Sequence, residues 1–360
     1  MTDAHDLPPA PRTTPRAVTL AVTTLTTALL ASAAFVIPVP YAVSSPGPTR
    51  DTLGEHDGAP LITIDGTDTH DSSGQLLLTT VSVAGGPGFP VSVPMMVRSW
   101  FDADRSVTPV ELVFAPDETR EQIDERNQAL MISSQEQASV AALQELGYEV
   151  PAALVVVEAM PGTGADHVVR PDDVIVEVDE QEVDSFTALA AVMEDVEPGT
   201  TVVLGVVRDE VRYDLRVETV EDEDSGRALL GVMINPEFDL PVDVDIEIDN
   251  VGGPSAGSMF ALGIIDMLTE EDETGGEVIA GTGTVDLHGD IGPIGGIRQK
   301  LAGSLRDGAS WFLAPADNCD EVVGNVPDGL VVVRVETLAE ARAAVQAIGE
   351  GQAQDLPACT

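Results

Sequence analysis

The feature that most constrains this chain is a run of 21 residues without a charge, Ala17 to Ile37. At a rise of about 1.5 Å per residue, a helix of that length spans roughly 30 Å, the thickness of a bilayer core. Such a segment either crosses a membrane or is removed after targeting. Arg12 and Arg16 precede it. That asymmetry predicts a cytoplasmic N-terminus, with everything after residue 38 outside the cytoplasm. Ala31-Ser32-Ala33 resembles the small-residue site of a cleaved signal peptide. That alternative stays open beside an uncleaved single-pass anchor, which the length of the span favours.

The remaining chain divides by composition. Residues 1–16 read as a polar tail, 38–60 as a Pro/Gly/Ser linker, 61–147 as a β/α segment and 349–360 as a second tail. Alternation predicts strands over 61–64 and 75–83. A helix is expected over 118–146, with Ile123, Leu130, Ile132, Val140 and Leu143 as its apolar positions and Gly147 as its stop. Between 148 and 220, short Val-rich strands (154–157, 174–178, 202–207, 213–217) surround one helix, 185–193. Residues 221–225 read as an acidic hinge. The last domain, 226–348, opens with strands at 229–234 and 242–248. The expected fold class is α+β.

Charge and residue counts exclude several functions. With 62 acidic and 17 basic residues the net charge is −45, which repels phosphate and argues against a nucleic-acid partner. Sixteen of the 17 basic residues are Arg, and the single lysine is Lys300. A phosphate-binding loop needs Gly-Lys-Ser/Thr, whereas Lys300 lies in Gln299-Lys300-Leu301, so that ATPase motif cannot be built. The five histidines are scattered without metal-ligand spacing, and two cysteines cannot make a zinc cluster. No cofactor or metal is expected. A lone lysine in an Arg-rich chain is a candidate for chemistry, because only lysine readily loses its proton when buried.

The second candidate lies in Gly252-Gly253-Pro254-Ser255-Ala256-Gly257, between an expected strand and an expected helix over 258–268. Backbone N–H groups around Gly253, Pro254 and Ala256 would face a developing oxyanion at such a turn. Two other readings fit the same residues. One is a glycine-rich helix cap. The other is a nucleophile elbow, which demands a later acid and histidine. Only His288 follows, within the compact turn Asp286-Leu287-His288-Gly289-Asp290. Lys300 stands 45 residues after Ser255, early in an apolar-faced helix. Desolvation and the positive helix end both lower a lysine pKa, and a neutral lysine can serve as the base for a serine.

Two resemblances follow from these motifs. Residues 148–220 resemble a PDZ domain through Pro161-Gly162-Thr163-Gly164-Ala165, Arg170-Pro171-Asp172-Asp173-Val174-Ile175, Val178-Asp179, Pro198-Gly199-Thr200 and Arg208. The carboxylate-binding loop is unclear, Leu146-Gly147-Tyr148 being the nearest match. From Asp249 to about Ala316 the chain resembles the proteolytic domain of the Lon serine proteases. Gly253-Pro254-Ser255-Ala256-Gly257, Ala280-Gly281-Thr282-Gly283-Thr284, the run Gly289 to Ile297, Lys300-Leu301-Ala302 and Phe312-Leu313-Ala314-Pro315 carry that likeness.

The resemblance implies Ser255 as nucleophile, Lys300 as general base and Thr282 as the threonine that hydrogen-bonds beside them. The whole layout resembles the membrane-anchored, PDZ-containing Lon-like proteases of Gram-positive bacteria. It implies an ATP-independent serine endopeptidase at the outer face of the cell membrane, acting on unfolded or extended polypeptides. It further implies a peptide ligand for the PDZ-like module and a homo-oligomer, hexameric in the Lon manner. The alternative is a membrane-tethered peptide-binding scaffold with an inactive protease-like domain. Residues 74–147 carry a faint Lon-like order, so the PDZ-like module is either inserted into the protease fold or independent of it. Asp249 and Asn250 either line the cleft or cap a strand. Cys319 and Cys359 could pair outside the cytoplasm, but the polar tail around Cys359 favours free thiols.

Overall fold

The computed structural model describes residues 14–56, 58–116, 118–222, 226–249 and 251–360. Arg12, Asn250 and most of the expected acidic hinge lie outside them. Helix α1 (Pro15–Val36) holds the uncharged run; Thr14 caps it, and none of its residues is buried. It is long and apolar enough to cross a membrane.

The expected linker is not one. Residues Tyr41–Asp51 form an 11-residue strand, β1. This strand pairs with residues 77–84 along one edge and, over 41–44, with residues 106–109 along the other, and Ser44-Ser45-Pro46-Gly47-Pro48 lacks alternation because the strand is partly covered on both faces. A register shift between Pro46 and Thr49 accommodates the prolines. There follow β2 (Ile62–Asp65), β3 (Gln75–Ala84), α2 (Val93–Trp100), β4 (Ser106–Pro109) and α3 (Arg120–Glu145). A capping box between Thr119 and Gln122 starts α3. Gly147 ends it at φ +83°, with Tyr148 N–H returning to the Leu143 carbonyl at 2.9 Å. Leu146-Gly147-Tyr148 is therefore a helix stop rather than a carboxylate-binding loop. The buried face of α3 is Met131, Ser134 and the run Ala138–Leu143, whereas Leu130 and Ile132 are exposed.

The chain then builds β5 (Ala152–Ala159), β6 (Val174–Val178), α4 (Phe186–Glu194), β7 (Thr201–Arg208), β8 (Val211–Glu218) and β9 (Val232–Phe238). These strands form an antiparallel sheet in the order β8-β7-β6-β5-β9 around their own core of Leu154, Val156, Ile175, Leu204 and Val206. The strand expected over 229–234 breaks at Gly231, where φ is +72°. Its second half, β9, pairs along the whole of β5. The β-rich unit thus extends to residue 238, past the expected boundary at 220, because β9 supplies an edge that β5 would otherwise leave open.

Strand β10 (Asp243–Ile246) pairs with β2 and leads through a loop to α5 (Gly257–Leu268). The rest is β11 (Val278–Gly281), α6 (Ile297–Arg306), β12 (Trp311–Pro315), α7 (Cys319–Val322), β13 (Val331–Val335) and α8 (Leu338–Gly349). The second sheet runs β13-β12-β11-β3-β1-β4, parallel from β13 to β3 and antiparallel beyond. Its strands come from both sides of residues 152–238. Helix α5, apolar on nearly every face, is buried from Gly257 to Asp266 between α3 and the sheet.

The C-terminal tail is tied down. Arg334 N–H donates to the Pro357 carbonyl at 2.8 Å, Leu356 packs on the main core, and Cys359 is disulfide-bonded to Cys319 across a Cα–Cα distance of 5.0 Å. The tail is thus neither loose nor a source of free thiols, contrary to the expectation from its polar sequence. The tail lies beside β13, and that contact brings the two sulfurs together.

Candidate active site

The turn before α5 is fixed from α3. Gly253, at φ +85°, donates its N–H to the Asn127 carbonyl at 2.9 Å. The Ser134 hydroxyl donates to the Pro254 carbonyl at 3.0 Å. Gly252 must lack a side chain, because a Cβ there would lie 2.7 Å from Asn127 Cβ. These contacts revise the expected oxyanion groups. The Gly253 N–H is already engaged and Pro254 has none. The backbone N–H groups of Ser255 and Ala256 have no backbone partner among the described residues. Ser255 thus sits just ahead of the α5 N-terminus, where the helix dipole favours negative charge.

The other side of the site comes from β11 and α6. Past the end of β11, the Thr282 hydroxyl donates to the Ser255 carbonyl at 2.9 Å, and Gly283 N–H donates to the same oxygen at 3.0 Å. Helix α6 starts after Gly296, whose φ of +72° lets the chain turn against Val81. Lys300 is the fourth residue of α6 and only 2% exposed. Its Nζ lies 2.8 Å from Ser255 Oγ and 2.7 Å from Thr282 Oγ1. Burial pushes the Lys300 pKa down to about 7.

Hydrogen-bond valence orders these three groups. Thr282 has one hydroxyl proton, and the Ser255 carbonyl receives it. Thr282 must therefore accept from Lys300. A neutral Nζ keeps one lone pair after donating to Thr282, and the Ser255 hydroxyl is placed to donate into it. The arrangement can move a proton from Ser255 Oγ to Lys300 Nζ without further movement of the chain. The structure thus brings Ser255, Lys300 and Thr282 together. His288 is exposed in its turn, held by Asp286. Asp249 is exposed and lines a recess with His56 and Pro60.

Sequence reading missed the groups that hold the site. Asn318, almost fully buried, accepts from Ile294 N–H and donates to its carbonyl, both at 2.9 Å. It clamps the loop that leads into α6, and Cys319 beside it carries the disulfide. Arg298 donates to the carbonyls of Ala103 and Arg105, each at 2.8 Å, tying α6 to the segment after α2. Asn127 and Ser134 act from more than 100 residues away. Single polar residues carry no periodic signal, so only the fold reveals them.

Two concavities accompany the site. One, of about 360 Å³, lies beside Gly252 and is lined by Val81, Val83, Phe89, Phe114 and Ile123. The other, of about 500 Å³, lies in the β-rich unit along Leu189 and Met193 of α4 and Val232 and Ile234 of β9. The Arg170-to-Asp173 motif is structural there. Asp173 is fully buried, accepts from Arg208 Nε and Nη2 at 2.6 and 2.7 Å, and accepts from Arg170 N–H. Burial raises its pKa, but these partners outweigh that and hold it below the usual carboxylate value.

Comparison with known proteins identifies two domain types in the chain. Residues 241–345 match the family profile of the Lon protease (S16) C-terminal proteolytic domain, and residues 131–219 that of the PDZ domain. The Lon protease of Clostridioides difficile is 35% identical over 114 residues, covering 30% of this chain and 14% of that protein. Lon protease 2 of Herpetosiphon aurantiacus is 36% identical over 106 residues, covering 28% of this chain and 13% of that protein. The chain thus spans about 14% of the length of the curated relatives it matches. Among solved structures, the PDZ domain of an SdrC-like protein from Listeria monocytogenes is similar at 16% identity and a TM-score of 0.22, covering 23% of this chain and 86% of that one. This chain carries a Lon-type proteolytic domain together with a PDZ domain.

Proposed function

We propose that the chain is a serine endopeptidase that works without ATP, with Ser255 as nucleophile and Lys300 as general base. The observation that carries this reading is the 2.8 Å approach of Lys300 Nζ to Ser255 Oγ, with the lysine buried and its pKa lowered to about 7. Neutral Lys300 takes the Ser255 proton as Oγ attacks the peptide carbonyl. The N–H groups of Ser255 and Ala256, at the α5 N-terminus, stabilise the oxyanion. Protonated Lys300 then gives its proton to the leaving amine, and later activates the water that releases the acyl group. Thr282 positions the lysine.

The recess beside Gly252, where Val81, Phe89 and Ile123 stand with Arg120, Asp124 and Arg126, supports an extended substrate segment next to Ser255. The groove along α4 and the free edge of β9 suit a peptide that adds a strand to the sheet. In this reading the PDZ unit is an insertion within a protease fold built from residues 41–146 and 243–349. Helix α1 anchors the protein, its N-terminus is cytoplasmic, and both domains lie outside. Substrates are unfolded or extended polypeptides, and the assembly is a homo-oligomer.

The test is cleavage of an unstructured casein by the full-length protein. Wild type is expected to cleave, and Ser255→Ala to lose that activity. Equal cleavage by both, or cleavage that requires ATP, overturns the reading.

A further inference from the structure

The chain leaves α1 at Val36 and meets α2 at once. Pro38 and Val39 pair antiparallel with Ser92 and Val91, directly ahead of α2, and the two helices touch. Val110 N–H donates to the Pro40 carbonyl at 3.2 Å, so the short turn Val110–Leu112 lies at the same exit. Trp100 stacks edge-on against Tyr41, with ring centres 6.4 Å apart. Two later segments, residues 91–101 and 110–112, therefore lie around the end of α1.

Their outward side chains are large and apolar. Trp100 is 59% exposed, Phe101 88% and Leu112 74%, and Val97 of α2 is exposed beside them. Soluble surfaces rarely cluster such residues without a partner. Tryptophan and other aromatics at the end of a membrane span sit at the headgroup level, where an apolar body and a polar N–H are both satisfied. A surface this close to the end of a spanning helix is at that level by chain connectivity alone.

We infer that Val97, Trp100, Phe101 and Leu112 form a docking surface for the lipid bilayer, embedded in the interface of the leaflet where α1 emerges. The inference rests on the reading of α1 as a membrane span. The surface is joined to the active site through Arg298, which holds the carbonyls of Ala103 and Arg105 two residues before Lys300 on α6. Docking then fixes the height of the Ser255–Lys300 pair above the membrane. The net charge of −45 gives no overall attraction to anionic headgroups, so apolar burial carries the docking, with Arg98 beside Val97 and Trp100 at the same surface.

Trp100 and Trp311 are the two tryptophans of the chain, which makes the test direct. The full-length Trp311→Phe protein is reconstituted into phosphatidylcholine vesicles carrying lipids brominated near the headgroup. Trp100 emission is expected to fall about twofold or more relative to unbrominated vesicles, and to resist aqueous iodide. A second protein, Leu25→Trp with both native tryptophans changed to Phe, reports α1 against lipids brominated deep in the chain. If Leu25→Trp is quenched while Trp100 emission is not, the docking surface is refuted and the anchor stands. Trp100 shielded from both bromine and iodide identifies a protein partner and likewise refutes it. If neither tryptophan is quenched, the membrane reading fails and the inference with it.

Discussion

Replacing Lys300 with methionine should stabilise the protein at neutral and acid pH while abolishing cleavage. The two side chains are similar in length, so the volume of the site is kept. Wild-type Lys300 has its pKa lowered from 10.5 to about 7 by burial. At about 1.4 kcal/mol per tenfold change, that difference means a folding penalty of about 5 kcal/mol. The sign follows from protons bound. Between about pH 7 and 10.5 the unfolded chain holds the lysine proton and the folded chain does not, so wild-type stability rises with pH across that window. Below about pH 7 the penalty is complete; above 10.5 it is absent. Methionine removes it but leaves the Thr282 and Ser255 hydroxyls short of a partner, at a cost of about 1–2 kcal/mol. The net gain is then about 3 kcal/mol near pH 6, and it reverses sign near pH 9. Urea unfolding of the full chain in detergent, followed by Trp311 emission in a Trp100→Phe background, measures the difference. A stability difference that does not vary with pH would refute the burial argument.

Three further perturbations follow from the contacts around the site. Thr282→Val removes the acceptor that orients Lys300, a loss of about 1–3 kcal/mol and so about fivefold to 150-fold in kcat/KM, with rescue by Thr282→Ser; kinetics in which Ser does no better than Val contradict the positioning role. Cys359→Ser opens a bridge spanning 40 residues and should lower stability by about 4 kcal/mol, read as a shift of the unfolding midpoint that reductant reproduces in wild type; an unchanged midpoint contradicts it. Arg208→Met strands the buried Asp173 carboxylate and should destabilise the PDZ unit by about 3–5 kcal/mol, seen as loss of hydrogen-exchange protection across β5 to β8 while the protease sheet stays protected.

The parts legible in the sequence were those with period or punctuation. The Val-rich strands and the Ser185-capped helix of the PDZ unit lie close to where alternation placed them. Gly253 and Gly296 mark turns that need positive φ, two residues ahead of Ser255 and four ahead of Lys300. Other parts were hidden for definite reasons. The strand Tyr41–Asp51 carries two prolines and a glycine and looks like a linker until its partners on both edges are known. Helix α3 buries small residues such as Ala138 and Ala142 while exposing Leu130 and Ile132, so its apolar pattern points the wrong way. The strand Val232–Phe238 pairs with residues about 80 positions earlier, a contact that no local pattern carries. The 2.8 Å approach of Lys300 Nζ to Ser255 Oγ is likewise set only by the packing of α5, α6 and β11.

The central claim is that neutral Lys300 activates Ser255, and the most direct measurement is the pH dependence of Ser255 acylation by a fluorophosphonate probe. In the full-length wild-type protein the labelling rate should rise with pH and reach half its maximum near the Lys300 pKa of about 7. Lys300→Met should label slowly at every pH. Labelling that is flat with pH in wild type, or as fast in Lys300→Met as in wild type, would contradict the claim.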